Sequence, residues 1–501
     1  GRIILAEKNA EAQRLLILKT DGTVERTFDP NSSLGSPVDA VQFNDEFYLA
    51  DGLHGLIQVS GSSYSSFTPD GPAAISDGQM IMTGGDLWVA PGSVTTQWQK
   101  RNRHEGISRF TKNQWINYDS SFAAVSDIIS VAGDRSGGKI WAGSYGDGLA
   151  EFIPGSTLRL YKENSFIRPS ENVAGFYGVT GLAFDKDNNL WISNYGASPS
   201  LVVRKPDGNT RSFIVPGSNF DFAFSRIIID DDNQKWIISP KNNGLFLFNS
   251  GSSVDNPADD RWKHYSTGTG NGNLPDNNVL SIAMDKSGFI WVGTARGIGI
   301  IQCSSNAFGN PGCDAILPIV QQDNFAGYLF SNEQVQCITV DGADRKWIGT
   351  KNGVWLISKY GDKTLYHFTT ANSFLLDNDV SNIAVDPLTG EVFFETTKGI
   401  CSFRADATGR EATAQKVLVF PNPVPPTFSG TIAIRGLPEN SIVKIVEIDG
   451  RLVYQTRSQG TTASWNGLNY KGGKVSAGVY LILTRDDNGK DQVSTKIVIV
   501  K

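Results

Sequence analysis

The sequence contains few of the residues that usually carry redox or metal chemistry. Among its 501 residues are four cysteines, four histidines and three methionines. Four cysteines in a chain of this length do not make a disulfide framework. The histidines, at positions 54, 104, 264 and 367, lie far apart and lack the short spacing of metal ligands. We therefore expect neither a histidine-based metal site nor a disulfide-stapled scaffold.

Long apolar runs and an excess of basic residues are also missing. No stretch of about 18 apolar residues exists, so we expect no membrane-spanning segment. The start at Gly1 lacks the apolar region and cleavage site of a signal peptide, which indicates a mature or trimmed chain. The net charge of -6 argues against nucleic acid as a partner, because phosphates favour a basic face.

Familiar catalytic motifs are absent as well. The sequence has no Gly-x-Ser-x-Gly elbow, no Walker loop and no His-Glu-x-x-His motif. We therefore expect a non-enzymatic protein. The alternative is a glycan-active enzyme, because glycoside hydrolysis needs only two carboxylates and the chain has 51 acidic residues.

The chain is rich in glycine and tryptophan and contains an internal repeat. Its 53 glycines and 11 tryptophans are typical of many short strands joined by tight turns. A strand, an Asp/Gly turn and an aromatic strand recur, as in 280–294 and 336–350. This period predicts the four-stranded blades of a β-propeller. The aromatic anchors are 40 to 56 residues apart, at Tyr48, Trp88, Trp141, Trp191, Trp236, Trp291, Trp347 and Phe393.

The number of blades leaves two arrangements open. Eight anchors, with the apolar strands of 3–28 as an incomplete ninth blade, do not fit one ring cleanly. We expect a ring of seven or eight blades over residues 1–415, either alone or with part of a second propeller. The tryptophans suit the spaces between blades, where their large apolar area serves as core.

The sequence changes character at its C-terminal end. Alternating apolar and polar residues predict several strands after 416, and Asp449-Gly450 is a strong hairpin signal. We expect an Ig-like β-sandwich over residues 416–501, so that the whole protein is all-β.

One loop departs from the repeat pattern. The segment 97–104 stands where other blades have a tight turn, and it combines an aromatic residue with several cations. Such a combination can hold an anionic sugar or phosphate by stacking and by bidentate arginine bonds. A solvated loop is the alternative interpretation. The candidate binding residues are Trp98, Lys100, Arg101, Arg103 and His104.

Two other groups of residues suggest bonds or ligands. Cys303 and Cys313 bracket a turn-forming segment that could bring their sulfurs together, which makes them a disulfide candidate. Asp-rich turns at 185–189 and 230–233 offer oxygen ligands for calcium. The same residues favour turns for backbone reasons, and we expect no metal and no cofactor.

Two family resemblances extend this interpretation. The propeller units, with the pattern Asp-x-x-Gly-x-Ile-Trp-Val-Gly-Thr over 285–294, resemble two-component-regulator propeller repeats. The tail is similar to a type IX secretion system C-terminal signal domain. The motifs that carry this likeness are Phe420-Pro421-Asn422-Pro423, Asp449-Gly450-Arg451-Leu452-Val453, Trp465-Asn466-Gly467 and Ser476-Ala477-Gly478-Val479-Tyr480.

The tail resemblance implies export through the periplasm to the cell surface, in association with the outer membrane. A propeller with such a tail resembles surface components of the type IX attachment complex. That family implies a scaffold that binds anionic lipopolysaccharide and presents it to a sortase, with the sortase and other subunits as partners. The alternative is a secreted polysaccharide-binding or polysaccharide-degrading cargo whose tail is cleaved after export.

Overall fold

The chain divides into two compact units, Gly1–Gly71 and Pro72–Lys501. The computed structural model describes residues 2–8, 13–31, 33–44, 46–52, 54–67, 70–75, 78–135, 137–215, 223–309, 312–322, 325–409, 416–485 and 491–500.

The first unit consists of two antiparallel sheets whose strands pair in chain order. Its core contains Leu15 and Ile17 of one sheet and Leu49 and Ile57 of the other, all fully buried. The strands of the first sheet are β1 (Arg2–Lys8), β2 (Gln13–Lys19) and β3 (Val24–Phe28), and those of the second are β4 (Pro37–Phe43), β5 (Glu46–Asp51), β6 (Gly55–Ser60) and β7 (Ser63–Phe67).

In the second unit, the described residues form seven blades of antiparallel strands that follow one another in sequence, and blades 2 and 3 are joined into one eight-stranded sheet. The strands of blades 1 to 3 are β8 (Met80–Thr83), β9 (Asp86–Val89), β10 (Ser108–Thr111) and β11 (Gln114–Asn117); β12 (Ile128–Gly133), β13 (Ile140–Gly146), β14 (Gly148–Phe152) and β15 (Arg159–Tyr161); β16 (Tyr177–Phe184), β17 (Leu190–Tyr195), β18 (Leu201–Arg204) and β19 (Thr210–Phe213).

The strands of blades 4 and 5 are β20 (Ile227–Ile229), β21 (Lys235–Ile238), β22 (Leu245–Asn249) and β23 (Arg261–Tyr265); β24 (Val279–Met284), β25 (Ile290–Thr294) and β26 (Gly297–Ile301). A hairpin, β27 (Ile319–Gln322) and β28 (Phe325–Tyr328), follows blade 5. Blades 6 and 7 contain β29 (Cys337–Val340), β30 (Lys346–Thr350), β31 (Gly353–Ile357) and β32 (Thr364–Phe368); β33 (Val380–Val385), β34 (Glu391–Thr396) and β35 (Gly399–Arg404). Short 3-10 helices span Ser120–Phe122, Pro257–Asp259 and Ser304–Asn306.

The seven blades close into a ring. The first strand of each blade, here called its inner strand, lies against the inner strand of the next blade, and β33 of blade 7 lies against β8 of blade 1. The Asn382 side-chain amide donates a hydrogen bond to the carbonyl of Gly78 across this junction. Met80 and Val89 of blade 1 pack with Phe393 of blade 7 in one buried cluster. The expected propeller ring is confirmed, with seven blades.

The turn after the inner strand has the same hydrogen bonds in four blades. One carboxylate oxygen of an aspartate accepts a bond from the indole N–H six residues later, and the other accepts the backbone N–H four residues later. Because the carboxylate accepts the indole N–H, the tryptophan ring can be buried without leaving that N–H group unpaired. The pairs are Asp185 with Trp191 at 2.9 Å, Asp230 with Trp236 at 2.8 Å, Asp285 with Trp291 at 2.9 Å and Asp341 with Trp347 at 3.2 Å.

These bonds give the Asp-rich turns a structural role. Both oxygens of Asp185 and of Asp230, the first residues of the two candidate calcium turns, accept hydrogen bonds from their own blade. Among the described residues, no group of three or more His, Cys, Asp or Glu side chains gathers to hold a metal ion.

The C-terminal region folds as a sandwich of two antiparallel sheets, ordered β36-β37-β40 and β39-β38-β41-β42. Its core includes the fully buried Ile434, Ile445 and Ile482 together with Trp465. The expected sandwich is confirmed. The strands are β36 (Leu418–Phe420), β37 (Ile432–Arg435), β38 (Ile442–Glu447), β39 (Leu452–Arg457), β40 (Thr462–Trp465), β41 (Gly478–Arg485) and β42 (Asp491–Ile499).

The sandwich is attached to the propeller by hydrogen bonds and an ion pair. The Thr408 carbonyl accepts the backbone N–H of Thr461 at 3.0 Å, and the hydroxyls of Thr408 and Thr462 are 2.6 Å apart. Lys286, at the turn of blade 5, forms an ion pair with Glu439 of the sandwich at 3.1 Å.

Candidate functional site

A central cavity of about 260 Å³ lies where the inner strands converge. Polar residues at the beginning of several inner strands line it, and so do Ser93, Val94 and Trp98 of the long loop of blade 1. Each blade contributes at least one lining residue, for example Gln79, Ile129, Thr180, Arg226, Val279, Gln336 and Asn382 in the order of blades 1 to 7.

The loop between β9 and β10 contains all five candidate binding residues. Its shape is set by Asp127, which is fully buried at the start of blade 2. The Asp127 carboxylate accepts the backbone N–H groups of Arg101, Asn102 and Arg103 at 3.0, 2.8 and 3.0 Å. Because three consecutive backbone groups bond to one buried carboxylate, the loop has a defined conformation.

Trp98 is the member of the candidate set that reaches the cavity. Its indole lines the cavity and stacks on Tyr195 of blade 3, with ring centroids 5.1 Å apart and the planes 3° from parallel. The Tyr145 hydroxyl donates a hydrogen bond to the Trp98 carbonyl at 2.5 Å. Burial raises the pKa of Tyr145 above its ordinary value, so this phenol remains a hydrogen-bond donor at neutral pH. An aromatic cluster therefore borders the cavity.

The charged candidates do not converge on Trp98. Lys100 lies 3.7 Å from the carboxylate of Asp147, and Arg103 forms an ion pair with Glu105 at 3.1 Å. Arg101 and His104 are exposed, and their side chains make no hydrogen bond or ion pair with any described residue. In the described part of the loop, the arginine available to a ligand is Arg101.

Sequence reasoning missed Arg226, which lines the same cavity from blade 4. It occupies the position four residues before the turn aspartate, where blades 2, 3, 5, 6 and 7 have small residues or asparagine. An alignment of the blades by that aspartate would have found it. The equivalent residues are Ser130, Gly181, Ser281, Cys337 and Asn382 in blades 2, 3, 5, 6 and 7.

The equivalent residues have a common structural role. Four of them donate a hydrogen bond to a carbonyl in the next blade: Ser130 to Val179, Ser281 to Val335, Cys337 to Val380 and Asn382 to Gly78. Arg226 makes no such bond, and its side chain has no hydrogen bond or ion pair with any described residue. Burial lowers the pKa of its guanidinium, while the nearby Cys337 thiol acts in the opposite direction.

Cys303 and Cys313 form a disulfide, with their Cα atoms 5.7 Å apart. Cys337 is buried and Cys401 partly buried, and both are free thiols. Burial raises the pKa of the Cys337 thiol to about 12, so it is neutral at physiological pH. No helix in the described residues is long and apolar enough to cross a membrane.

The tail and the propeller match two different protein families. Residues 418–500 match the family described as Secretion system C-terminal sorting domain, and residues 273–296 match Two component regulator propeller. No curated protein sequence matches the chain. A solved structure of PorZ, described as an essential surface component of the type-IX secretion system of Porphyromonas gingivalis, aligns with a TM-score of 0.72. The chain has the fold of PorZ. The two are 23% identical, and the alignment covers 99% of this chain and 70% of PorZ.

Two other solved structures align with lower TM-scores. Virginiamycin B lyase from Staphylococcus aureus has a TM-score of 0.45 at 11% identity, over 64% of this chain and 92% of the lyase. The extracellular domain of a putative hybrid two component system from B. thetaiotaomicron has a TM-score of 0.34 at 16% identity, over 99% of this chain and 71% of that chain.

Proposed function

We propose that this chain is a non-enzymatic scaffold of the type IX secretion attachment complex, exported to the cell surface and associated with the outer membrane. In this proposal residues 1–415 are the propeller platform and 416–501 are the secretion signal domain. The platform binds anionic lipopolysaccharide and presents it to a sortase. The observation that carries the proposal is the combination of a matched sorting tail with a PorZ-like fold over 99% of the chain.

The loop of Trp98 supports the binding part of the proposal. The partly exposed indole of Trp98, which stacks on the buried ring of Tyr195, suits the apolar face of a sugar ring. Arg101, which lies three residues after Trp98 in the same loop, is exposed and can form bidentate bonds with a carboxylate or phosphate. Because Asp127 holds the loop backbone, little ordering is needed when a ligand binds.

The test is binding of purified anionic lipopolysaccharide to the immobilised full chain. We expect binding by the unaltered protein and at least a tenfold loss in the double variant Trp98→Ala/Arg101→Ala, since charge-assisted hydrogen bonds and stacking are both removed. Arg296→Ala is the matched control, because Arg296 is an exposed arginine that lies outside the central cavity and is ion-paired with Asp276 at 3.6 Å. Absence of binding by the unaltered protein would refute the proposal.

The fate of the tail separates the scaffold from the cargo alternative. We expect the mass of the native surface protein to include residues 418–500, and we expect co-purification with the sortase. Loss of the tail near Leu418 would favour the secreted cargo that binds or degrades polysaccharide, and would contradict the scaffold.

A further inference from the structure

Arg226 is an exception within a regular structural pattern. In blades 2, 5, 6 and 7 the equivalent side chain bonds to a carbonyl of the next blade, which ties neighbouring inner strands together. A small hydroxyl, thiol or amide is enough for that bond. Blade 4 has a guanidinium instead, with five N–H donors and a permanent charge. Because blade 4 has Arg226 at this position, it lacks the inter-blade hydrogen bond and has an unpaired cation at the central cavity instead.

The cavity contains a second unsatisfied polar group. The Ser93 hydroxyl, on the loop of blade 1, is buried at 3% exposure and has no hydrogen-bond partner. Ser93 and Arg226 both line the cavity, together with Trp98 and the polar side chains of Gln336 and Asn278. Buried polar groups are normally hydrogen-bonded. Arg226 is partly buried and lines the same space without a partner among the described residues. Unsatisfied donors facing the same space indicate that a ligand completes their bonding.

The size of the cavity limits the ligand. About 260 Å³ lies slightly below the range of about 300–1,000 Å³ that is usual for small-molecule sites. This volume suits one oxyanion and the ring that carries it. A longer saccharide would have to extend beyond the cavity.

We propose that the central cavity binds a single anionic sugar residue, with its carboxylate or phosphate paired to the Arg226 guanidinium and hydrogen-bonded to Ser93, and with Trp98 against the ring. The sugar part of this proposal rests on the proposed function, whereas the anion part rests on Arg226 and Ser93. Arg226 is then the residue that distinguishes anionic from neutral sugars, because a neutral ligand would leave the guanidinium without a counter-charge.

Calorimetric titration of the full chain tests this proposal with four probes: glucuronate, glucose 1-phosphate, inorganic phosphate and glucose. We expect at least one of the two anionic sugars to bind about tenfold or more tightly than glucose. A preference for glucuronate assigns a carboxylate ligand, and a preference for glucose 1-phosphate over both glucuronate and inorganic phosphate assigns a sugar phosphate. Failure of both anionic sugars to bind would overturn the proposal.

Arg226→Gln is the decisive variant. Its expected effect is a loss of anionic-sugar binding by about tenfold to a hundredfold, while Arg296→Gln binds as the unaltered protein does. Thermal unfolding of Arg226→Gln should occur at nearly the same temperature as that of the unaltered protein, because the partly exposed Arg226 side chain has no hydrogen bond or ion pair with a described residue to lose. Undiminished binding by Arg226→Gln would overturn the proposal.

The two proposals can fail separately. If lipopolysaccharide binds equally well to the unaltered protein and to Arg226→Gln and neither anionic sugar binds, the cavity proposal fails and the scaffold function stands. If an anionic sugar binds in an Arg226-dependent manner and lipopolysaccharide does not bind, the cavity proposal stands and the scaffold function fails.

Discussion

Lys235 is a buried cation whose removal should stabilise the propeller. It is fully buried at the start of β21, and its ammonium lies 4.1 Å from the ring centroid of Trp191 in the preceding blade. Its hydrogen bonds go to the Asn233 carbonyl at 2.6 Å and to the Ser250 hydroxyl at 3.2 Å. Among the described residues, no carboxylate lies within ion-pair distance of this ammonium. Burial lowers its pKa from 10.5 to about 8.

The pKa difference sets both the magnitude and the direction of the effect. A difference of about 2.5 between 10.5 and about 8 corresponds to about 3 kcal/mol of destabilisation when lysine is charged in both states. Between these two pH values the unfolded chain binds the proton and the folded chain does not. The free energy of unfolding therefore rises with pH in this window, by about 1.4 kcal/mol between pH 7 and pH 9.

The variant Lys235→Met isolates this effect, because methionine keeps an unbranched apolar chain over Trp191 without the charge. Urea unfolding followed by tryptophan fluorescence should be measured for both proteins at pH 7 and pH 9. We expect the stability of Lys235→Met relative to the unaltered protein to decrease by about 1.4 kcal/mol from pH 7 to pH 9. All other titrating groups are common to both proteins and cancel in this difference. A difference that stays constant or grows with pH would refute the reasoning.

Three further predictions concern other buried contacts. Lys346→Met should destabilise the protein by about 3 kcal/mol in the same urea assay, because Lys346 is fully buried 2.9 Å from the Asp285 carboxylate, which would lose its counter-charge. Asp127→Ala should speed hydrogen exchange of the amides of residues 101–103, which lose their acceptor. Replacing both Cys303 and Cys313 by serine should lower the free energy of unfolding by about 3 kcal/mol, because the loop of the unfolded chain is no longer closed.

Each of these has a clear contrary result. A gain in stability for Lys346→Met would mean that desolvation of the pair outweighs its attraction. Unchanged exchange in Asp127→Ala would show that other contacts order the loop. Equal unfolding midpoints with and without the cysteines would show that the disulfide adds nothing to folding.

The fold could be predicted largely from the spacing of aromatic residues, whereas ring closure could not. Each blade is local in sequence, so its strands, turn and tryptophan recur within about 50 residues. Closure depends on a contact between Asn382 and Gly78, which are 304 residues apart. Phe393 and Met80, which pack together in one buried cluster, are also more than 300 residues apart. No local sequence pattern indicates such contacts. The sequence alone therefore predicted a ring of either seven or eight blades.

The candidate site was predictable only in part. The unusual length of the loop containing Trp98 drew attention to the region that reaches the cavity. Composition alone could not show that Lys100 and Arg103 have acidic partners, one of which comes from blade 2. Arg226 was overlooked because an arginine beside an apolar strand is common. Only an alignment of the blades on the turn aspartate shows that Arg226 replaces a small residue or asparagine.

The two ends of the inner strands are used differently. The turn aspartates at one end bond to buried indoles, and the same end contains Lys286, which pairs with Glu439 of the sandwich. The cavity lies at the other end, where Arg226 begins blade 4. Inner strands of three to eight residues separate these ends by roughly 10–25 Å at about 3.3 Å per residue. The proposed cavity ligand and the attached sandwich therefore lie at opposite ends of the inner strands, so the proposed binding does not require release of the tail.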